Sequence, residues 1–421
     1  MCDLGRMSGP KRRVVVTGLG VISPIGIGKE KFLAGLRAGQ SGIASITRFD
    51  ASGYESRVAG EVNDFDAVGH LGLRRVNQMG RAAQFAVAAS GLALDDAGLN
   101  LAAGDKTRAG SIIGTAVGDL GWAIEEALAQ DHNGHVGSNP RTMFMAYPNS
   151  VSGQVAIRYG LNGATDTISS GCASAGTAFG LASNLIQCDE VDVLLVGGTE
   201  APLQPTIFRN LCAAGALSTM NGGGRPSPFD KDRDGPVLAE GAGIVVFEEL
   251  EHALRRNAPI YAEFMGWGST TDAFSLTRTE PNGIQGIRAS QVALKNSLVA
   301  TDEVDYISAY GIATPSCDWT ETRITKMVFG ERARTIPISA IQSMVGYSWA
   351  AMGALQLIAS CLAIAEGVVH PTINYSAKDV NCDLDYVPNT ARDLQIDTAV
   401  TDQFGCGKNV VTVVRRYNGS R

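Results

Sequence analysis

The strongest constraint on the fold is a rhythm. Short β-branched apolar runs alternate with helical segments, and the alternation starts again in the second part of the chain. Arg13 to Gly18 is a buried first strand, and Gly110 to Gly114 and Val191 to Gly198 are further runs of the type found in parallel sheets. Polar and apolar positions from Arg75 to Ala97 follow helical spacing and stop at Gly98. The second half repeats the order. It has strands at Ile260 to Gly266, Tyr306 to Ala309 and Ile336 to Ser339. Its helices lie near Gly283 to Ala300, Trp319 to Phe329 and Gly353 to Glu366. Two successive β/α runs predict an α/β protein of two duplicated halves, residues 1–255 and 256–421, with two sheets sandwiching helices.

The stretch from Asp166 to Ser183 carries the most chemistry. An apolar run leads into Gly171-Cys172, and small residues then begin a helix. A thiol at such a turn sits at the positive end of the helix dipole, which favours the thiolate. Cys172 is thus a candidate nucleophile. The alternative is a small buried side chain, as most free cysteines are.

Composition removes several classes of function. With 42 acidic and 35 basic residues the net charge is -7, which does not suit a nucleic-acid surface. The eight cysteines show no C-x-x-C pair or zinc spacing and read as reduced thiols of a cytoplasmic protein. No apolar run reaches the ~18–20 residues of a membrane span, and the first dozen residues lack the apolar core of a signal peptide. Gly18, Gly20 and Gly26 read as a glycine-rich turn, but their spacing fits no nucleotide-binding loop. His132 and His135 suggest a metal pair or, without nearby carboxylate or thiol ligands in register, a solvated loop. No metal site is expected. Glu240 reads as a buried acid with either a functional or a structural role.

Taken together, several motifs resemble the β-ketoacyl-acyl-carrier-protein synthase family, of the elongating type, in the thiolase superfamily. They are Val16-Thr-Gly-Leu-Gly-Val-Ile-Ser-Pro-Ile-Gly26, Gly171-Cys-Ala-Ser-Ala-Gly176, Gly215-Ala-Leu-Ser218, Pro228-Phe-Asp-Lys-Asp-Arg-Asp-Gly235, Glu240-Gly-Ala-Gly243 and His370-Pro-Thr-Ile-Asn374. The resemblance runs from Val14 to Val414. It implies a thiolase-like five-layered αβαβα sandwich, a two-fold dimer, and substrates carried on the phosphopantetheine arm of an acyl-carrier protein, with no tightly bound cofactor. It implies that Cys172 accepts the acyl chain.

Elsewhere the sequence departs from the family's site. The family's Asn-Ala-His-Gly-Thr-Ser-Thr-Pro reads Ser308-Ala-Tyr-Gly-Ile-Ala-Thr-Pro315, which puts Tyr310 at the first histidine. Lys-Ser-Met-Thr-Gly-His reads Gln342-Ser-Met-Val-Gly-Tyr347, so Gln342 replaces the lysine and Tyr347 the second histidine. The terminal Gly-Phe-Gly-Gly reads Gly405-Cys-Gly-Lys408, which puts Cys406 at the gating phenylalanine. Asp318 and Glu321 are retained. Imidazole titrates near neutrality, whereas a phenol with a pKa near ~10 donates a hydrogen bond but is a poor base at pH 7. A positioned acid–base group contributes about 10²–10⁴-fold, so losing two should cripple malonyl decarboxylation.

Three functions follow as expectations. The first is a non-elongating partner subunit, similar to the chain-length factors of type II polyketide synthases, in a heterodimer with an active ketosynthase. Chain-length factors usually lose the cysteine as well, and here Cys172 remains. The second is an acyltransferase, most stable as a homodimer, in which Cys172 moves an acyl group without decarboxylation. Gly405, Cys406 and Gly407 would then shape the oxyanion hole. The third is condensation with a Cys-Tyr-Tyr site. Arg74 and Arg75, at the exposed start of a helix, are candidates for docking the acidic carrier protein.

Overall fold

The computed structural model describes residues 11–101, 104–132, 141–220, 225–405 and 407–419. The first half contributes five main strands: β1 (Val14–Ser23), β2 (Ala109–Gly114), β3 (Thr165–Ile168), β4 (Val193–Glu200) and β5 (Gly241–Glu249). The second half contributes β6 (Ala262–Thr271), β7 (Tyr306–Ser308), β8 (Ile338–Ser339), β9 (Thr398–Gly405) and β10 (Lys408–Arg415). The spatial orders are β1-β5-β4-β2-β3 and β6-β10-β9-β7-β8. In each half the first two pairings are antiparallel and the last two parallel. One topology is therefore used twice. The two arrays join where Val15 and Val16 of β1 pair with Glu263 and Ala262 of β6.

Helices α1 (Arg81–Asp96), α2 (Ser174–Gln187), α3 (Ile284–Ser297), α4 (Pro315–Phe329) and α5 (Ala350–Glu366) complete the layers. α2 and α5 pack on each other and touch strands of both arrays, so they form the middle layer. α1 covers β1, β4 and β5 from outside, and α3, with α4 against it, covers β6 and β10. This is the thiolase-like α/β sandwich. α5 is buried from Ala350 to Ile364, as a helix between the two strand arrays of one continuous sheet must be.

Three sequence expectations change. Gly18 and Gly20 are not in a turn but inside β1. A Cβ on Gly18 would lie 2.1 Å from the Ala93 carbonyl oxygen, and one on Gly20 1.9 Å from that of Ala89, so the glycines let α1 lie on the strand. The helix read from Arg75 to Ala97 is broken. A short helix, Leu73–Val76, precedes α1, and the chain is extended at Gly80. The buried Asp119 carboxylate accepts the Ala82 and Ala83 amides at 2.8 and 3.3 Å and so starts α1 afresh. Burial raises the Asp119 pKa to about 6. Arg74 and Arg75 consequently end a one-turn helix rather than beginning a long one. The cysteines, too, are not uniformly reduced. Cys172, Cys212, Cys317, Cys361 and Cys382 are in no disulfide, while Cys188 is disulfide-bonded.

Among the described residues, no helix is long and apolar enough to cross a membrane, and no group of three or more histidines, cysteines and carboxylates is placed to hold a metal. His135 and Cys406 lie outside the described residues.

Candidate active site

The duplicated topology brings corresponding loops together. Cys172 lies in the connection from β3 to α2, and Tyr347 in the matching connection from β8 to α5. Tyr310 follows β7, and Gly405 closes β9. The candidate residues thus gather beyond the C-terminal ends of parallel strands, where α/β sheets commonly place their sites.

Local chemistry fixes each one. Gly171 has φ +63°, which permits the turn before Cys172. The Ser174 hydroxyl donates to the Gly171 carbonyl at 2.5 Å and accepts the Ser170 amide at 2.9 Å, which locks the elbow. The Glu321 carboxyl accepts the backbone amides of Tyr310 and Gly311 at 2.7 and 2.8 Å. Tyr347 is held by its backbone, which donates to Val237 and accepts from Ala239. Two residues on, Trp349 starts α5 at φ +44°, a strained conformation for a bulky side chain.

The side chains form a chain of contacts. The Cys172 sulfur lies 2.5 Å from the Tyr347 hydroxyl, which lies 2.7 Å from the Tyr310 hydroxyl. The two rings meet edge to face, 6.0 Å between centroids at 89°. Cys172, Tyr310 and Tyr347 are only 3%, 2% and 8% exposed. Gly405 closes the group. A Cβ there would lie 2.1 Å from the Tyr310 hydroxyl and 3.0 Å from the Cys172 Cβ. Gly407, at φ +69°, accepts the Asp272 amide at 2.8 Å with its carbonyl. The structure therefore brings the sequence-predicted Cys172, Tyr347 and Tyr310 together in that order, with Gly405 beside Tyr310 and Cys172.

Gln342 stands behind them. Its Nε2 approaches the Met352 sulfur at 2.9 Å and the Ala309 carbonyl at 3.3 Å. Sequence reasoning missed Gln356, whose Nε2 donates to the same Ala309 carbonyl at 2.5 Å and to those of Ser308 and Asp402 at 3.2 Å. It also missed Gln403, whose Oε1 accepts the Gly176 amide at 3.1 Å. Both are fully buried, and Gln356 is a glutamine in an otherwise apolar run, which was the available signal; Gln403, after Thr401 and Asp402, gave none.

Among the described residues, the buried titratable groups are held by other partners. His370 is buried against the Tyr306 and Ser339 hydroxyls, and burial lowers its pKa to about 4. Burial and neighbouring Asp402 raise Glu321 well above the ordinary carboxylate range, and burial raises Asp402 to about 7. Asp318, which accepts the Phe229 amide at 2.8 Å and pairs with Arg233, is raised to about 7 by burial against the Arg233 attraction. Glu240 is a structural carboxylate, bound by Arg81 and the Val62 amide. Arg74 and Arg75 are well separated from the thiol in the chain's order, with Arg74 exposed and Arg75 half-buried. What the described residues bring together at the centre is the Cys172 sulfur and two phenolic hydroxyls.

A condensing-enzyme architecture with an altered site defines the class. Family models agree. "Beta-ketoacyl synthase, N-terminal domain" matches residues 11–253 and "Beta-ketoacyl synthase, C-terminal domain" matches 261–376. The chain belongs to the β-ketoacyl synthase family. A 3-oxoacyl-[acyl-carrier-protein] synthase 2 of Synechocystis sp. is 40% identical, over 97% of this chain and 99% of the relative. The ishigamide ketosynthase/chain length factor structure superimposes with TM-score 0.90 at 36% identity, covering 97% of this chain and 100% of its own. A type II polyketide synthase acyl-carrier protein in complex with its ketosynthase, bound to the hexaketide, matches with TM-score 0.89 at 35% identity, over 97% and 100%.

Proposed function

We propose that this chain is a cytoplasmic, non-elongating ketosynthase-family subunit of fatty acid or polyketide synthesis. It is built from two repeats, 1–255 and 256–421, and pairs with an active ketosynthase on substrates borne by the phosphopantetheine arm of an acyl-carrier protein. The observation that carries this reading is the Cys172–Tyr347–Tyr310 chain. Phenols take both family histidine positions, and together they cover the thiol. Decarboxylative condensation needs groups that stabilise an enolate and exchange protons near neutrality, and a phenol pair supplies hydrogen bonds without a base. The similarity to a ketosynthase/chain length factor structure supports the pairing. Co-expression with an elongating ketosynthase and native mass spectrometry test it. A heterodimer is expected, and a stable homodimer that excludes the ketosynthase contradicts it.

One observation favours a second reading. Cys172 is retained and hydrogen-bonded, as a nucleophile held for acyl transfer would be. Backbone amides around Cys172, with Gly405 beside them, would then stabilise the oxyanion. Intact-protein mass spectrometry after incubation with acyl-carrier-protein thioesters distinguishes the readings. An acyl adduct absent from Cys172→Ala supports transfer, and no adduct across several chain lengths leaves the non-elongating role.

A further inference from the structure

We infer that Gln403 is a positioning residue for Cys172, acting as a helix cap supplied from a distant strand. α2 begins without a side-chain cap of its own, because its N-cap residue is Ala173. The amides of the first helical turn have no partner within the helix and need an acceptor from elsewhere. For Gly176 that acceptor is the Oε1 of Gln403 on β9, 227 residues away in sequence.

The slot around this amide is built for it. A Cβ on Gly176 would lie 2.6 Å from Gln403 Nε2, and a Cβ on Gly353 would lie 2.3 Å from Oε1. Two glycines on the two central helices thus make room for one fully buried side chain. Its Nε2 has no hydrogen-bond partner among the described residues. Leaving a buried donor unmet is costly, so packing alone does not account for a glutamine where a methionine would fit.

The geometry links the amide to the thiol. Gln403 and Gly405 are two apart on β9 and share a face of the strand. Gly405 closes over the Cys172 Cβ and the Tyr310 hydroxyl, while Gln403 holds the first turn of the helix that follows Cys172. One strand therefore fixes both sides of the nucleophile, and the 2.5 Å sulfur–Tyr347 contact depends on that register. The inference rests on this contact and on neither functional reading, so its test needs no carrier protein.

The test is the pH profile of Cys172 alkylation by iodoacetamide in the full chain, read by peptide mass spectrometry. Gln403→Met keeps the length of the side chain and removes the acceptor. Gln403→Glu keeps the shape and, while protonated in its buried slot, keeps an acceptor oxygen. The expected result is an alkylation midpoint raised by about one pH unit and a rate at neutral pH lowered about tenfold in Gln403→Met, with near-native alkylation of Gln403→Glu at mildly acid pH. A native profile in Gln403→Met overturns the proposal, as does equal loss in both variants. If Gln403→Met does not fold, Gly353→Ala decides, because its new Cβ displaces the amide. An unchanged profile there also overturns the proposal.

Discussion

The hydroxyl of Tyr347 stands 2.5 Å from the sulfur of Cys172, and the two residues come from corresponding loops of opposite halves of the chain. A hydrogen bond to a charged group contributes about 1.5–3 kcal/mol. Tyr347→Phe should therefore slow alkylation of Cys172 at neutral pH by about tenfold or more and leave the fold intact. A pH–rate profile checks this, and Tyr310→Phe, one hydroxyl further away, should have a smaller effect.

Gln342 and Gln356 share one acceptor, the Ala309 carbonyl, in a fully buried setting. An ammonium introduced by Gln342→Lys would be buried beside neutral amides. The expected cost is about 3–5 kcal/mol, the penalty of an uncompensated buried charge. Adding Gln356→Glu places a carboxylate next to it and should recover most of the loss. Urea denaturation of the two variants measures the difference, and equal stability of both contradicts the pairing.

Asp402 offers a test by pH. Burial raises its folded pKa to about 7, above the unfolded value near 3.8. The folded state then holds a proton that the unfolded state releases, so this group's contribution is complete below pH 3.8 and is lost as pH rises through about 7. Asp402→Asn removes its share of a titration that neighbouring buried Glu321 also carries. Its denaturation midpoint should fall less steeply than the native one between these limits and should match or exceed the native value above neutrality. Parallel curves for the two proteins would show that Asp402 does not titrate in this way.

Arg74 and Arg75 end the short helix before α1. If they dock an acidic carrier protein, Arg74→Glu with Arg75→Glu should weaken its binding about tenfold at low salt and much less at about 0.5 M salt, where surface charges are screened. Calorimetric titration at the two salt concentrations checks this. A salt-independent affinity equal to the native one removes both residues from the docking surface.

The strand–helix rhythm was legible because buried strands are continuous apolar runs, and Val14–Ser23, Val193–Glu200 and Gly241–Glu249 are each buried throughout. The motif around Cys172 and the tyrosines at positions 310 and 347 could likewise be read residue by residue. The break before α1 could not, because it is made by Asp119, a carboxylate distant in sequence that reaches the Ala82 and Ala83 amides. The role of Gly18 and Gly20 was hidden for the same reason: their partner is a helix some seventy residues on. Gln356 and Gln403 escaped notice because a buried amide is defined by what surrounds it, and periodicity carries no record of Ala309 or Gly176.

The most direct measurement is carbon dioxide release from malonyl-acyl-carrier protein in the presence of an acyl-carrier-protein primer, with the purified chain alone and then with an elongating ketosynthase. The chain alone should release none above the protein-free blank. The mixture should turn over through the partner's cysteine and be unaffected by Cys172→Ala. Steady release by the chain alone, accompanied by a β-ketoacyl product and abolished by Cys172→Ala, would contradict the non-elongating role.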